Sequence, residues 1–393
     1  MNLQEAPEDA DFRAAARSWL SRNAPREARP TEHAAGLAYD RAWQRSLYDG
    51  GWAGVNWPTA YGGRGLSGFQ YMIWVQECVR AGASTTGGSN FTGLFHAGPT
   101  LILRGNEEQK RQYLPRILKG EEMWCQGFSE PGAGTDLAAL RTRGDIDGEH
   151  IVVNGHKTWT SNGHMADFQE LLVRTDREST RHHGLTWLIC DMRTPGIEVR
   201  PIRTMDGEVH VNDTFYDNVR IPISNVVGEI GQGWSVAMST FAFERGIGFI
   251  GDQIELIAMV EELIELSRGL RLPSGKLAID DDGVAQNLAS LKCEALALRA
   301  LTISGLAHIE RHGMPGPEGS MMKLLLTTAY KKLHQVASDI LGPAFLDYSA
   351  AQRTANPWAY RYFRSWTLTI AAGPNEIQRD IIADRILGLP RAR

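Results

Sequence analysis

Apolar positions recur at helical spacing through the first 120 residues. Asp11 to Leu20 and Tyr39 to Asp49 each carry them three and four apart, which predicts two amphipathic helices. Gly68 to Gly82 (GFQYMIWVQECVRAG) is apolar nearly all round and predicts a buried helix. GNEEQK (105–110) opens another short helix, with acids in its first turn where the helix dipole favours them. Between these, GWAGVNWPTAYGGRG (51–65) reads as an ordered loop. The period changes near Glu121. From there to about Gly231 the chain offers HIVVNGHKTWTS, FQELLVRT, GLTWLICDM, IEVRPIRT and DTFYDNVRIP, short β-branched and aromatic runs separated by turn pairs such as Asp147-Gly148 and Asn154-Gly155. That spacing predicts a small antiparallel barrel or sandwich. After Gly233 the helical period returns in Trp234 to Leu270, Asp282 to His312, Ser320 to Leu341 and Asn375 to Leu387, interrupted at Pro273, Pro315-Gly316-Pro317 and Gly342-Pro343. The expectation is an α+β chain in three parts: a helical domain over 1–120, a β domain over 121–231 and a helical bundle over 232–393. No GxGxxG follows a strand and opens a helix, so a Rossmann fold is not expected.

Length and composition sharpen this. The 393 residues fit two or three domains at about 150 residues each. Hydrophobic residues at 42% and charged residues at 22% describe an ordinary globular chain rather than a disordered one. Forty-one basic against 46 acidic residues leave a net charge of −5, which gives no electrostatic reason to expect nucleic acid as partner. No apolar run approaches the roughly 18 residues of a membrane span, and the acidic N-terminus lacks the pattern of a secretory signal. Cys78, Cys125, Cys190 and Cys293 are scattered without CxxC pairing, and the 11 histidines form no HExxH. His182-His183 reads as a solvated turn, and no metal site is expected. These features point to a cytoplasmic enzyme.

Four segments carry candidate chemistry, each with a plainer alternative. Trp124 to Asp136 (WCQGFSEPGAGTD) concentrates turn formers and hydrogen-bonding groups; Pro131, Gly132 and Gly134 suit exposed amides facing a flat or anionic ligand, or simply a structural turn. In His156 to Gly163, Trp159 and Ser161 offer a ring and a polar edge, although judged alone the tryptophan reads better as barrel core. Phe243 to Gly246 (FERG) places an acid in an apolar helix, with Phe241, Glu244 and Gly248 on one side. Desolvation there would raise the pKa of Glu244 and Arg245 would lower it, so the acid is a general base, one half of an ion pair, or a simply exposed glutamate. Finally, Gly373-Pro374 breaks the chain before a last helix beginning at Asn375, which needs no explanation beyond a cap.

In this order, GNEEQKRQYLPRILKGE, CQGFSEPGAGTD, VVNGHKTWTSNG, VVGEIGQGW and GPNEIQRDIIADRILGLPR resemble the acyl-CoA dehydrogenase family of flavoproteins over nearly the whole chain. The resemblance implies helical, β and helical domains, FAD as cofactor, α,β-desaturation of an acyl-CoA thioester, and an electron-transfer flavoprotein as acceptor. It implies that Gln126, Phe128 and Ser129 line the flavin ring, that Trp159 and Ser161 flank its other side, and that Thr135 helps to hold the CoA portion. Most members carry the catalytic glutamate where this chain has Ala372. A minority carry it on the first long helix of the C-terminal domain, immediately before an arginine, and Glu244-Arg245 stands at that place, with Arg245 beside the substrate.

Departures cluster in the part of the family's site that holds the ADP end of FAD. SRGLRLPSGKLAIDDDG (267–283) lacks the usual Arg-x-x-Phe-Gly, Asp339 to Pro343 replaces Gln-x-x-Gly-Gly, and Pro374 replaces a threonine. The family builds this half across a subunit interface. Bacterial members resembling this chain include halves of α2β2 heterotetramers acting on bulky acyl-CoAs such as steroid side-chain thioesters, so a homo- or heterotetramer with a related subunit is expected. Two other readings stay open: a non-catalytic subunit with a decayed site, and a flavin oxidase or monooxygenase on the same scaffold.

Overall fold

A computed structural model of the chain describes residues 6–86, 88–312, 316–349 and 355–390, with only the backbone of Arg245 to Ile247. It divides into two compact units, one of residues 1–204 and 209–244, the other of 205–208 and 245–393.

The first unit begins with α1 (Pro7–Asn23), started by a proline at its first turn, and α2 (His33–Asp49), whose leading amides are capped by the Glu32 carboxylate. α3 (Gly68–Arg80) starts in a Ser67/Gln70 capping box and is buried as its composition predicts, with Trp74 and Val75 fully enclosed. Trp52, from the ordered loop, stacks on Trp74 with ring centroids 4.5 Å apart. A wide π-helical turn, Gly93–Ala97, leads into α4 (Gly98–Arg104). α5 (Glu107–Lys119) is closed by an Asn106/Gln109 capping box and a left-handed Gly120.

Seven strands follow in this unit: β1 (Trp124–Gly127), β2 (Arg143–Asp147), β3 (His150–Ser161), β4 (Phe168–Arg174), β5 (Leu185–Asp191), β6 (Ile197–Ile202) and β7 (Val211–Pro222). They form one sheet in the order β1-β4-β2-β3-β7-β6, with β5 also against β4. Most pairs are antiparallel, as the turn spacing predicts, but β1 runs parallel to β4. The turn expected at Asp147-Gly148 is present: Asp147 pairs with His150 across Gly148-Glu149, with Gly148 at φ +59°. The turn expected at Asn154-Gly155 is absent: both residues lie within β3, where the register against β7 shifts between Val153 and Gly155. Ile151, Val153, Leu171, Val173, Leu188, Cys190, Tyr216 and Val219 form the buried core of the sheet.

α6 (Gly233–Ile247) starts in this unit and its last three residues belong to the second. The single helix expected over Trp234 to Leu270 is broken at Gly248-Phe249, after which α7 (Ile250–Gly269) begins. α8 (Asp282–His312), α9 (Glu318–Leu341), α10 (Pro357–Leu368) and α11 (Asn375–Arg385) complete the second unit. Its core joins Leu256, Val260 and Leu263 of α7, Leu291 and Leu298 of α8, Leu326 and Leu333 of α9, and Trp358 of α10. α10 was not among the predicted helices. Among the described residues no helix is long and apolar enough to cross a membrane.

Candidate active site

The two glycine- and aromatic-rich segments lie side by side in the first unit. The Thr158 amide donates to the Ser129 carbonyl at 2.9 Å. Lys157, fully buried, donates from Nζ to the Phe128 carbonyl and to Glu130 Oε1, both at 2.9 Å. Burial pulls the Lys157 ammonium down to about 8. Burial would raise the Glu130 carboxyl, yet the Lys157 charge and bonds from the Thr142 and Arg141 amides hold it below the usual carboxylate range. This ion pair fixes the start of the turn from Glu130 to Ala133, whose two residues exchange backbone bonds at 3.0 Å. Neither Lys157 nor Glu130 was singled out in the sequence.

Within that turn Pro131 and Gly132 are exposed, and just beyond it so are Gly134 and Thr135. A Cβ added to Gly132 or Gly134 would meet nothing within 4 Å, so the chain's own packing does not demand glycine there. Open approach to a backbone is what a flat or phosphate-bearing ligand requires. Trp159 overturns the reading of it as barrel core. It is 60% exposed, sits at φ +60°, and lies in the second register shift of β3, between Lys157 and Thr160. Ser161 is exposed two residues on. These residues fit a flavin: an exposed aromatic face, nearby hydroxyls and an unobstructed glycine edge.

Glu244 is drawn into the same unit. Thr100 and Thr240 are joined through their hydroxyls at 2.9 Å, and Arg104 Nε donates to Ser239 Oγ at 3.0 Å, which ties α4 to α6. The π-helical turn just before α4 carries His96, and this tie brings His96 Nε2 to 3.8 Å from Glu244 Oε1. The Glu244 side chain is 15% exposed, so it does not stand out in bulk water. On the other side, His96 Nδ1 lies 3.3 Å from Glu170 Oε1, and Gln126 Nε2 donates to that oxygen at 2.8 Å while lying 3.3 Å from His96 Nδ1. The Phe128 ring meets Phe241, one turn before Glu244, edge to face at 5.7 Å. The structure thus brings Gln126 and Glu244 to His96 and Glu170, two residues that sequence reasoning missed, with Phe128 against Phe241 of the helix that carries Glu244 and Ser129 held to the Thr158 amide. The Arg245 side chain lies outside the described residues. No group of three or more His, Cys, Asp or Glu among the described residues is placed to hold a metal ion.

The chain matches the acyl-CoA dehydrogenase N-terminal domain over residues 6–121, the middle domain over 125–219 and the C-terminal domain over 231–387. The chain belongs to the acyl-CoA dehydrogenase family. It is 36% identical over 389 residues to the acyl-CoA dehydrogenase IpdE1 of Mycobacterium tuberculosis, covering 97% of this chain and 98% of the relative. FadE26 of the same organism, also an acyl-CoA dehydrogenase, is 33% identical and is covered completely, as is this chain. Among solved structures, the Tcur3481-Tcur3483 steroid acyl-CoA dehydrogenase superposes with a TM-score of 0.85 at 30% identity over the whole of both chains. The ChsE4-ChsE5 complex of Mycobacterium tuberculosis gives 0.82 at 31%, again over 100% of each.

Within this acyl-CoA dehydrogenase, the C-terminal turn belongs to the second unit and is tightly held. Buried Lys323 donates to the Gly373 carbonyl, Gln378 Nε2 donates to the Ala372 and Gly373 carbonyls, and Thr327 Oγ1 donates to Asn375 Oδ1. Ala372 sits at φ +56°, and its methyl group cannot accept a proton. The departing segment after α7 closes on itself: Arg271 pairs with Leu277 in an isolated bridge, and its Nη1 donates to the Gly275 carbonyl at 2.8 Å.

Proposed function

We propose that this chain catalyses the FAD-dependent α,β-dehydrogenation of an acyl-CoA thioester, with Glu244 as the base that removes the α-proton. The observation that carries this reading is the contact between two segments. Gln126 and Phe128, from the stretch resembling the family's flavin wall, meet α6 through His96 and Phe241, beside the Glu244 carboxylate. Ala372 supports it, because the position where most of the family carries the base holds no titratable group.

FAD, when bound, supplies the two-electron acceptor whose N5 takes the β-hydride. The chain's task is to bind, orient and exclude water. In this reading Trp159 presents its face and Ser161 its hydroxyl to one side of the ring, while Gln126, Phe128 and Ser129 line the other. Thr135 and Arg245 contact the substrate. Glu244, aimed at the α-carbon, takes the proton as the thioester oxygen gains charge that nearby donors must stabilise. An electron-transfer flavoprotein would be the partner that takes the electrons onward. The steroid enzyme at TM-score 0.85 supports a bulky acyl group. It and ChsE4-ChsE5 are both named as paired chains, which supports a related subunit as partner here, completing the ADP half of the FAD site in a tetramer.

The test is turnover of a panel of acyl-CoAs with an artificial electron acceptor by the assembled protein and by its Glu244→Gln variant. Loss of about 10²- to 10⁴-fold in rate, with the flavin absorbance retained, is expected. Unchanged turnover would place the base elsewhere.

A further inference from the structure

A lone carboxylate that takes a proton inside a closed site must either hold it until the site opens or hand it on. The surroundings of Glu244 provide a recipient. His96 sits on a π-helical turn, a widened geometry that recurs at functional sites because it pushes one side chain out of the regular ladder. Its side chain is 7% exposed, and that of Glu170 is fully enclosed. His96 Nε2 and Glu170 Oε2 are both buried without a hydrogen-bond partner among the described residues. A buried imidazole normally satisfies both nitrogens. Here one nitrogen is anchored and the other faces a carboxylate 3.8 Å away.

Resting on the assignment of Glu244 as base, we propose that His96 is its positioning residue: Glu170 fixes the Nδ1–H side of the ring, and Nε2 receives the proton that Glu244 has taken from the substrate. The step balances without a further reagent. The Cα–H bond breaks and its electron pair stays on the substrate as the enolate. The proton first forms an O–H bond on Glu244. That bond then breaks as an N–H bond forms on His96 Nε2. The resulting imidazolium lies between the Glu170 and Glu244 carboxylates, and its proton leaves to solvent with the product. The present separation is one that a small side-chain rotation closes, and such contacts tighten when substrate is bound.

The electrostatics agree. Burial by itself would lower the pKa of His96, but the Glu244 and Glu170 carboxylates outweigh it and leave the imidazole above its usual value of 6.5. Burial raises Glu170. His96 and Glu170 each bear on the other's charge, the imidazole pulling the carboxyl down and the carboxylate holding the imidazole up. Among the described side chains facing His96, β4 contributes Glu170 and α6 contributes Glu244 as titratable groups. β1 contributes Gln126, and Phe91 covers the ring edge to face at 5.4 Å. Cys125 of β1 lies near Glu170, and burial keeps its thiol protonated.

The experiment follows the His96 ring by NMR in the histidine-labelled holoenzyme, with the signal assigned by its disappearance in H96Q. Titration above 6.5 in the wild type, moving down in both E170Q and E244Q, is expected. Titration at or below 6.5 in the wild type, or no movement in either variant, overturns the proposal without requiring any variant to be active. In parallel, H96Q keeps a neutral polar group of similar reach but cannot take a proton. Its rate of substrate oxidation is expected to fall about 10- to 100-fold, and the acid limb of its pH profile to move acidward by at least one unit. An unchanged profile overturns the role of His96 even where E244Q is inactive, whereas normal turnover by E244Q sinks the assignment of the base itself.

Discussion

Trp159 places a large ring in solvent and holds its own backbone at φ +60°. A left-handed conformation costs a non-glycine residue ~1–2 kcal/mol, and an exposed indole gains little from burial. A flat ring stacked on the indole would offset both costs. Trp159→Ala is therefore expected to leave the stability of the flavin-free protein within ~0.5 kcal/mol while weakening flavin binding about 10-fold. Flavin titration and thermal unfolding of the same variant check both halves; equal flavin affinity would remove Trp159 from the site. The segment holding Trp159 was legible from its residues, but the exposure of the ring was not, because a tryptophan in a strand reads as core. Glu170 was illegible as well. FQELLVR carries no sign that its acid, on one face with Phe168 and Leu172, is enclosed, yet both faces of β4 are covered from Phe168 to Val173. An acid with water on neither side is a signal only once the strand is known to be central. His96 gave less still, since nothing in FTGLFHAGPT distinguishes a relay histidine from a core one.

At the scale of elements, α1 and α3 are clamped by one carboxylate. Glu77, 2% exposed, accepts from Arg13 at 2.8 Å and from Arg17 at 2.9 Å, with Arg80 at 3.0 Å. Burial alone would raise the carboxyl, but the hydrogen bonds from Arg17 and Arg13, with the charge of Arg80, pull it down from 4.5 to about 2. A folded-state value below the unfolded one stabilises the fold above the unfolded pKa, and that contribution fades as pH falls through the folded value. Stability is thus expected to drop between about pH 4.5 and 2. Glu77→Gln should flatten that dependence and cost ~1–3 kcal/mol at neutral pH, where its arginines regain water. Urea midpoints measured at several pH values decide it, and equal steepness in the two proteins would contradict the clamp. Element type was legible wherever the apolar period was unbroken, as in α3 and β5. The break at Gly248 was not, because the apolar pattern runs through it. The Asn154-Gly155 turn signal lost to a twelve-residue strand held by β7, tertiary pairing overriding a local preference.

For the whole molecule, the family and the order of its domains were legible because several motifs keep their mutual spacing across the chain. The ADP half of the cofactor site was legible only as a departure from the family's pattern, because one sequence shows no second chain. The segment after α7 folds back on itself through Arg271 and Gly275, and in the proposed reading a related subunit supplies the usual arginine contact to FAD. Purified alone, the chain is expected to hold well under one FAD per chain, and co-expression with its related subunit should restore full occupancy. Full occupancy in a homotetramer would contradict the shared site. The central claim, that Glu244 removes the α-proton, is tested most directly by following hydrogen exchange at the substrate α-carbon in D₂O, by NMR, without an electron acceptor. The assembled wild-type protein should wash deuterium into that carbon, and the E244Q protein, flavin still bound, should not. Exchange by E244Q at the wild-type rate would contradict the account.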